Sequence, residues 1–345
     1  MRFSALVALM LALLGNSAAA QPADSLGDGR SGDIEFSSFW PRGHHELGQA
    51  TFDRKPLPVR GQLSLPPGTG KVPAVVIGHT VGGVQPYLFH RWSKALNEAG
   101  FAALVVDSFG PRGMGSMHTS SAVEINGAYL IADAFSALRV LATHPRIDAG
   151  RIAFVGFSMG GGTAPYLIQE RFRRAVLGDS PLRFAAAVGH YPHCHYNFVE
   201  NQPSPVPLFL FLAEKDDWTP AEQCQQYGKL LLERGYKVSV RVYEGANHGY
   251  DEDRSSTTIP NANSMGNCDP LLINLDAVSF APQYLRTGAP VVPGGDMRAT
   301  VTGVLNWGRS CNRRGATSGV SAGGGDRRVD AVRDTLAALQ KSFSP

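Results

Sequence analysis

The pentapeptide Gly156-Phe157-Ser158-Met159-Gly160 constrains this chain more than any other feature, because of what flanks it. Arg151 to Val155 has the β-branched, apolar pattern of a short buried strand, and Gly161 to Ile168 opens an apolar helix. A serine held on so tight a strand-to-helix turn needs glycine two residues to either side, since a Cβ there would meet neighbouring backbone. Such a turn lifts the hydroxyl above the sheet edge and aims the next N–H, that of Met159, at the same point. The chain thus offers a nucleophile and half of an oxyanion hole. The same pattern recurs at Gly319-Val320-Ser321-Ala322-Gly323, but in Gly/Ser-rich surroundings with no apolar strand before it and no histidine after it. Ser158, not Ser321, is the candidate nucleophile.

A serine hydroxyl becomes a useful nucleophile when a base takes its proton and an acid orients that base. In strand–turn–helix folds of this kind the order along the chain is serine, acid, histidine, each at a strand end. The apolar run Leu208 to Leu212 leads into Ala213-Glu214-Lys215-Asp216-Asp217-Trp218-Thr219-Pro220, which supplies the acid. Asp216 is preferred over Asp217, and the other aspartate is free to cap the helix that begins near Thr219-Pro220. The alternating strand Lys237 to Tyr243 leads into Glu244-Gly245-Ala246-Asn247-His248-Gly249, which supplies the base, His248.

The remaining pattern fits these placements. Strands are expected at Ile34 to Phe39, Val59 to Leu65, Pro73 to Gly78, Phe101 to Val106 and Arg183 to Gly189. Helices are expected at Phe89 to Ala99, Ala122 to Ala142 and Ala221 to Arg234. Strand alternating with helix at short connections gives a mostly parallel sheet covered on both faces, with ligands at the carboxyl ends of its strands. Asp251 to Asp326 breaks the rhythm and reads as an irregular insertion. Arg327 to Phe343 then reads as an amphipathic helix with Val329, Val332, Leu336 and Leu339 on one stripe.

The first twenty residues form a separate unit: Arg2, an apolar core from Ala5 to Leu14, and Ser17-Ala18-Ala19-Ala20 before Gln21. This is the pattern of a cleavable signal peptide, and it implies a periplasmic or secreted protein with no stable membrane insertion after cleavage. The four cysteines, Cys194, Cys224, Cys268 and Cys311, are then expected to form disulfides. Three connectivities are possible. Cys194–Cys224, between adjacent strand ends, with Cys268–Cys311, bracketing one long segment, is the favoured set.

A net charge of +3 with 18% charged residues argues against nucleic acid as a partner. His193 and His195 can share a face of an extended segment, but no matching second ligand pair accompanies them, so no metal is assigned. Arg112 sits in a Gly/Pro-rich turn beyond the fourth strand, placed either to bind a substrate carboxylate or to pair with Asp107 or another acid.

With these residues in view, the chain resembles the dienelactone hydrolase-like branch of the α/β-hydrolase superfamily over roughly Val59 to Tyr250. The resemblance rests on Gly156-Phe157-Ser158-Met159-Gly160-Gly161, Asp107-Ser108-Phe109-Gly110-Pro111-Arg112-Gly113, Glu214-Lys215-Asp216-Asp217-Trp218-Thr219-Pro220 and Asn247-His248-Gly249. It implies an α/β-hydrolase fold and a Ser158–Asp216–His248 triad. The family's His-Gly-x-Gly-Gly turn stands here as His79-Thr80-Val81-Gly82-Gly83, which implies that the Val81 N–H is the second oxyanion donor. The namesake enzymes use cysteine as nucleophile, whereas this chain, like many relatives, has serine. Similar exported members also carry cysteines like Cys194 and Cys224.

The expectation is an exported serine hydrolase that cleaves a small ester, lactone or similar acyl compound and needs no cofactor. A serine peptidase of the same superfamily and a non-catalytic envelope binding protein on the same fold are the alternatives.

Overall fold

The apolar runs pair into one sheet. In the computed structural model, residues 24–117, 127–264, 266–276, 279–282, 303, 306–321 and 326–343 are described. The signal-like segment and residues 122–126 of the helix expected over Ala122 to Ala142 lie outside them. The strands are β1 (Gly32–Ser38), β2 (Leu57–Ser64), β3 (Val72–Gly78), β4 (Ala102–Asp107), β5 (Ile147–Phe157), β6 (Ala187–His190), the short β7 (Tyr196–Asn197), β8 (Leu208–Ala213) and β9 (Val238–Tyr243). All but β7 form an eight-stranded sheet in the order β1-β2-β4-β3-β5-β6-β8-β9. Pairings are antiparallel as far as β2–β4 and parallel from β4 onward. This is the expected α/β-hydrolase fold.

Because successive strand residues face opposite sides, the central strands feed two cores. Val76, Leu104 and Phe154 pack on one face with Phe135, Leu138 and Phe172 from the helices Ala128–Leu141 and Glu170–Leu177. Val75, Ile77, Val105 and Val155 pack on the other with Trp92 and with Ala338 and Leu339 of the C-terminal helix, Arg327–Phe343. Full burial of each large aliphatic or aromatic side chain contributes about 1.5–3 kcal/mol.

Three expectations are corrected. The helix expected from Phe89 begins instead with a wide π-type turn, Leu88–Ser93, and becomes α-helical over Lys94–Glu98. On the C-terminal helix Val332, Leu336 and Leu339 pack on the core as expected, but Val329 is 69% exposed, and Ala331, Thr335 and Ala338 are buried beside them. Thr335 takes an inward position because its hydroxyl meets the buried ring of His190 at 2.9 Å. Finally, the segment expected to be irregular contains β10 (Thr257–Ser264), β11 (Leu271–Asn274), β12 (Ser279–Pro282) and β13 (Arg313–Ser318). β10 pairs antiparallel with β13, and its register shifts between Ile259 and Asn263. Pro260 lies in that interval and has no N–H to give to a ladder. β11 pairs with β12 and, in parallel, with β7.

Both favoured disulfides are present. Cys194–Cys224 ties the loop after β6 to the helix Ala221–Glu233, and Cys268–Cys311 closes the base of the insertion. Closing loops of 30 and 43 residues is worth about 3–4 kcal/mol each in the chain-entropy account. No helix among the described residues is long and apolar enough to cross a membrane.

His44, His79 and His190 are buried, and desolvation lowers all three below the ordinary histidine value, His44 and His190 to about 3. The unfolded chain takes up these protons below pH ~6.5 while the folded chain does not. Their stabilising effect is therefore complete above that pH and is lost as pH falls toward their folded values. His45, His144 and His193 are lowered by burial too, and Asp251, raised by burial to about 6, and Glu200, also raised, act in the opposite direction, two groups against six. Urea midpoints should drop between pH 7 and pH 5, with a slope of up to about 1.4 kcal/mol per pH unit for each histidine. A midpoint independent of pH over that interval would contradict the assignment of neutral buried imidazoles.

Candidate active site

The β5-to-helix turn is as tight as its glycines imply. A Cβ on Gly156 would stand 2.2 Å from the carbonyl oxygen of Gly160, and one on Gly160 would stand 2.5 Å from that of Gly78. Ser158 has φ +52°, a left-handed conformation that a non-glycine residue adopts only when held there. Three hydrogen bonds hold it: Ser158 N–H to His190 O (2.9 Å), Gly160 N–H to His79 O (3.0 Å) and Gly162 N–H to Ser158 O (2.8 Å).

The β3 loop faces this turn. Thr80, standing where a glycine is usual, uses its hydroxyl to accept the Gly82 N–H at 3.1 Å, while Gly83 N–H donates to Thr80 O at 3.0 Å. The ring of His79 fastens the loop from below. Its Nε2 accepts the Ser108 N–H at 3.2 Å, which leaves Nδ1–H to donate to Thr80 O at 2.7 Å. Neither the Val81 nor the Met159 N–H makes a hydrogen bond among the described residues.

The acid and the histidine reach Ser158 from the ends of β8 and β9. His248 Nε2 lies 2.8 Å from Ser158 Oγ, and His248 Nδ1 lies 2.8 Å from Asp216 Oδ2. The three residues are 5%, 3% and 6% exposed in the order Ser158, His248, Asp216. Asp216 Oδ1 accepts the N–H groups of Trp218 (3.0 Å) and Thr219 (2.7 Å), and the Thr219 hydroxyl lies 3.0 Å from Oδ2. With Nδ1–H directed to Asp216, Nε2 is the acceptor for the Ser158 hydroxyl. Tyr191 and Trp218 rings flank the imidazole, with centroids at 4.8 and 5.0 Å.

The division of labour between the two aspartates differs from the expectation. Asp216 both meets His248 and receives the amides of the following turn. Asp217 turns away and binds the insertion: its carboxylate accepts the Thr317 N–H at 2.7 Å and the Thr317 hydroxyl at 3.1 Å. One residue further along β13 the chain bridges to His248, and the Gly319 N–H donates to His248 O at 2.8 Å. The second Gly-x-Ser-x-Gly pentapeptide therefore begins with a residue that holds the histidine loop.

Arg112 is not a substrate ligand. It is buried in a two-pronged ion pair with Asp133, Nη1 to Oδ2 and Nη2 to Oδ1 both at 2.8 Å, and it also donates to the carbonyls of Ser108 and Phe39. Its partner is on the helix Ala128–Leu141, out of reach of the sequence argument that named Asp107. Of the histidine cluster, His193 lies at the site: a Cβ on Gly162 would stand 2.2 Å from its Nδ1. Desolvation lowers its pKa to about 4, outweighing the hydrogen bond to the Ser158 backbone. Cys194, being in a disulfide, has no free thiolate to offer a metal.

The family model described as "Dienelactone hydrolase family" matches residues 59–269. A probable 2-oxo-3-(5-oxofuran-2-ylidene)propanoate lactonase from Bradyrhizobium sp is 24% identical over 205 residues, covering 55% of this chain and 78% of that protein. An acylamino-acid-releasing enzyme of Rattus norvegicus is 25% identical over 224 residues, but the match spans 55% of this chain and only 30% of the rat protein. Among solved structures, a putative dienelactone hydrolase from Klebsiella pneumoniae superposes with a TM-score of 0.43 at 16% identity, covering 64% of this chain and 88% of its own.

Replacing Arg112 leaves a buried carboxylate without its cation, which typically costs about 3–5 kcal/mol. Arg112→Ala should lower the denaturant midpoint accordingly, and Arg112→Met combined with Asp133→Leu should recover most of the loss. Any residual activity of the single variant should fall equally on acidic and neutral esters.

Proposed function

Because the chain belongs to the dienelactone hydrolase family, we propose that this hydrolase works through Ser158, His248 and Asp216 on an ester, lactone or similar acyl substrate. The observation that carries the proposal is the continuous relay from Ser158 Oγ through His248 to Asp216, both links at 2.8 Å. His248 Nε2 takes the Ser158 proton as Oγ attacks the substrate carbonyl, and Asp216 steadies the resulting imidazolium. The Val81 and Met159 N–H groups receive the oxyanion; losing one such donor typically costs about 3–4 kcal/mol of transition-state stabilisation. Collapse of the tetrahedral intermediate expels the alkoxide, which takes the proton back from His248, and leaves the acyl group on Ser158. Water then attacks by the same route, and its hydrogens are shared between the carboxylic acid product and the restored Ser158 hydroxyl. None of these steps requires a cofactor.

The Bradyrhizobium relative's name denotes a lactonase, which favours ester and lactone carbonyls. The match to the acylamino-acid-releasing enzyme keeps a serine peptidase as the second reading. Matched p-nitrophenyl esters and p-nitroanilides of one acyl group separate the two: turnover of the ester with none of the anilide supports the first, and turnover of the anilide supports the second.

A fluorophosphonate probe should label the mature protein on the peptide that contains Ser158. Labelling should vanish in Ser158→Ala, and Asp216→Asn should lower kcat by roughly 10²–10⁴-fold. A folded protein that takes up no label would point instead to a non-catalytic binding protein. We also propose export, with cleavage after Ala20, on the strength of the first twenty residues and of the two disulfides. Protein recovered from cells should begin at or near Gln21; an intact Met1 would refute this.

A further inference from the structure

The loop between β6 and β7 meets the Ser158 turn at a point that the proton relay does not use. Tyr191 of this loop packs its ring against His248, and His193 follows two residues later, partly buried. The His193 ring lies against Gly162. A Cβ there would stand 2.2 Å from its Nδ1 and 2.3 Å from its Cε1, and the three nearest atoms are all of this ring. Gly162 does not have a positive φ, so its missing side chain makes room for the imidazole rather than for a turn. The segment is fastened on either side of the ring: Tyr191 N–H donates to Phe211 O at 2.7 Å, and Cys194 is bonded to Cys224.

A ring N–H of His193 donates to the carbonyl of Ser158. The same oxygen accepts the Gly162 N–H at 2.8 Å. Burial lowers the pKa of the ring to about 4, so this donor is a neutral imidazole near pH 7. The Ser158 carbonyl is one end of a peptide unit whose other end is the Met159 N–H. A trans peptide unit is planar, so its C=O and N–H point in opposite directions and turn together. Two donors on the oxygen therefore fix the direction of the Met159 N–H.

Resting on the reading of Ser158 as the nucleophile and of the Met159 N–H as an oxyanion donor, we propose that His193 is a positioning residue of the oxyanion hole. It holds the Ser158–Met159 peptide plane, and Gly162 is bare to admit it. A contact that strengthens as charge develops on the substrate oxygen acts on kcat rather than on KM. Outright loss of such a donor costs about 10²–10³ in kcat. In a His193 variant the Gly162 N–H still holds the plane, so the expected loss is smaller.

The test uses the purified full chain with its disulfides intact and p-nitrophenyl butyrate as substrate. His193→Ala should lower kcat by about 10-fold and leave KM within about 2-fold. It should weaken phenylboronic acid, which forms a tetrahedral adduct on a serine hydroxyl, by a similar factor. Asn and Gln carry an amide N–H to the reach of Nδ1 and of Nε2, and one of His193→Asn and His193→Gln should restore most of kcat. Gly162→Ala keeps the imidazole but displaces it, so it should reproduce the loss, and adding His193→Ala to it should cost nothing further. An unchanged kcat in His193→Ala, a raised KM at constant kcat, rescue by neither amide, or losses that multiply in the double variant would each overturn the role. If His193→Ala does not fold, the two amides and Gly162→Ala carry the same comparison. Fluorophosphonate labelling separates this proposal from its premise: a labelled Ser158 with kcat indifferent to His193 defeats this inference alone, whereas an unlabelled Ser158 in folded native protein defeats the premise.

Discussion

Everything at this site depends on how closely the backbone of the Ser158 turn can settle on the sheet. Gly78, Gly156 and Gly189 stand in register on the adjacent strands β3, β5 and β6, forming a row without side chains beneath the turn. A Cβ on Gly189 would meet the Gly161 carbonyl at 2.7 Å, as those on Gly156 and Gly160 would meet Gly160 and Gly78. Settled this far, the turn finds partners on both sides: His79 O on β3's loop and His190 O on β6. Those bonds offset the left-handed conformation of Ser158, a strain of about 1–3 kcal/mol. The Ser158 hydroxyl is thus posed by close approach of backbone to backbone, and its neighbours' lack of side chains is the condition for it.

The other two members need a different kind of support, because they stand on loops. Here the insertion supplies it. β13 grips the acid loop through Thr317 and Asp217, and its last residue, Ser318, with Gly319 just beyond it, meets the histidine loop at His248. A strand hydrogen-bonded to both loops fixes the distance between them, which is the quantity that an Asp–His hydrogen bond requires. The disulfide Cys268–Cys311 closes the insertion that carries this strand. The same strand brings Ala316 into a third apolar cluster, beside Val81, Met159 and Trp218.

How much of this could be read beforehand follows from where each determinant sits. The central strands and the positions of Ser158, Asp216 and His248 are local: apolar runs of strand length, each followed by one of these three polar residues, state themselves in the sequence. Partnerships across long separations do not. The pairing of β10 with β13 joins polar segments with no alternating pattern, and Asp133, 21 residues from Arg112, lies within a run read only as apolar helix. The adjacent aspartates show the limit most clearly. Sequence placed one of them beside His248, but only the position of Thr317 explains why the other turns away. Thr335 is missing from the stripe expected on the C-terminal helix for a related reason, since it is drawn inward by a polar partner, His190, rather than by hydrophobicity.

That buried polar partners decide such details is plain from a comparison of two carboxylates near His248. Asp216 is met by the amides of Trp218 and Thr219, the Thr219 hydroxyl and the His248 ring, so both of its oxygens are engaged by donors at 2.7–3.0 Å. Asp251 is fully buried and has the Tyr191 hydroxyl and the Trp92 ring N–H as its side-chain partners; burial outweighs them and raises its pKa to about 6. Both reach the His248 imidazole, one directly and the other through Tyr191, whose ring packs against His248. Tyr191 itself has φ +34°, an uncommon conformation for a bulky residue. Its hydroxyl bond to Asp251 and its N–H bond to Phe211 O anchor both ends of it. The direct carboxylate orients the ring by hydrogen bond and the indirect one by packing. An imidazole constrained in both ways keeps Nε2 on Ser158 Oγ without needing the substrate to draw it there.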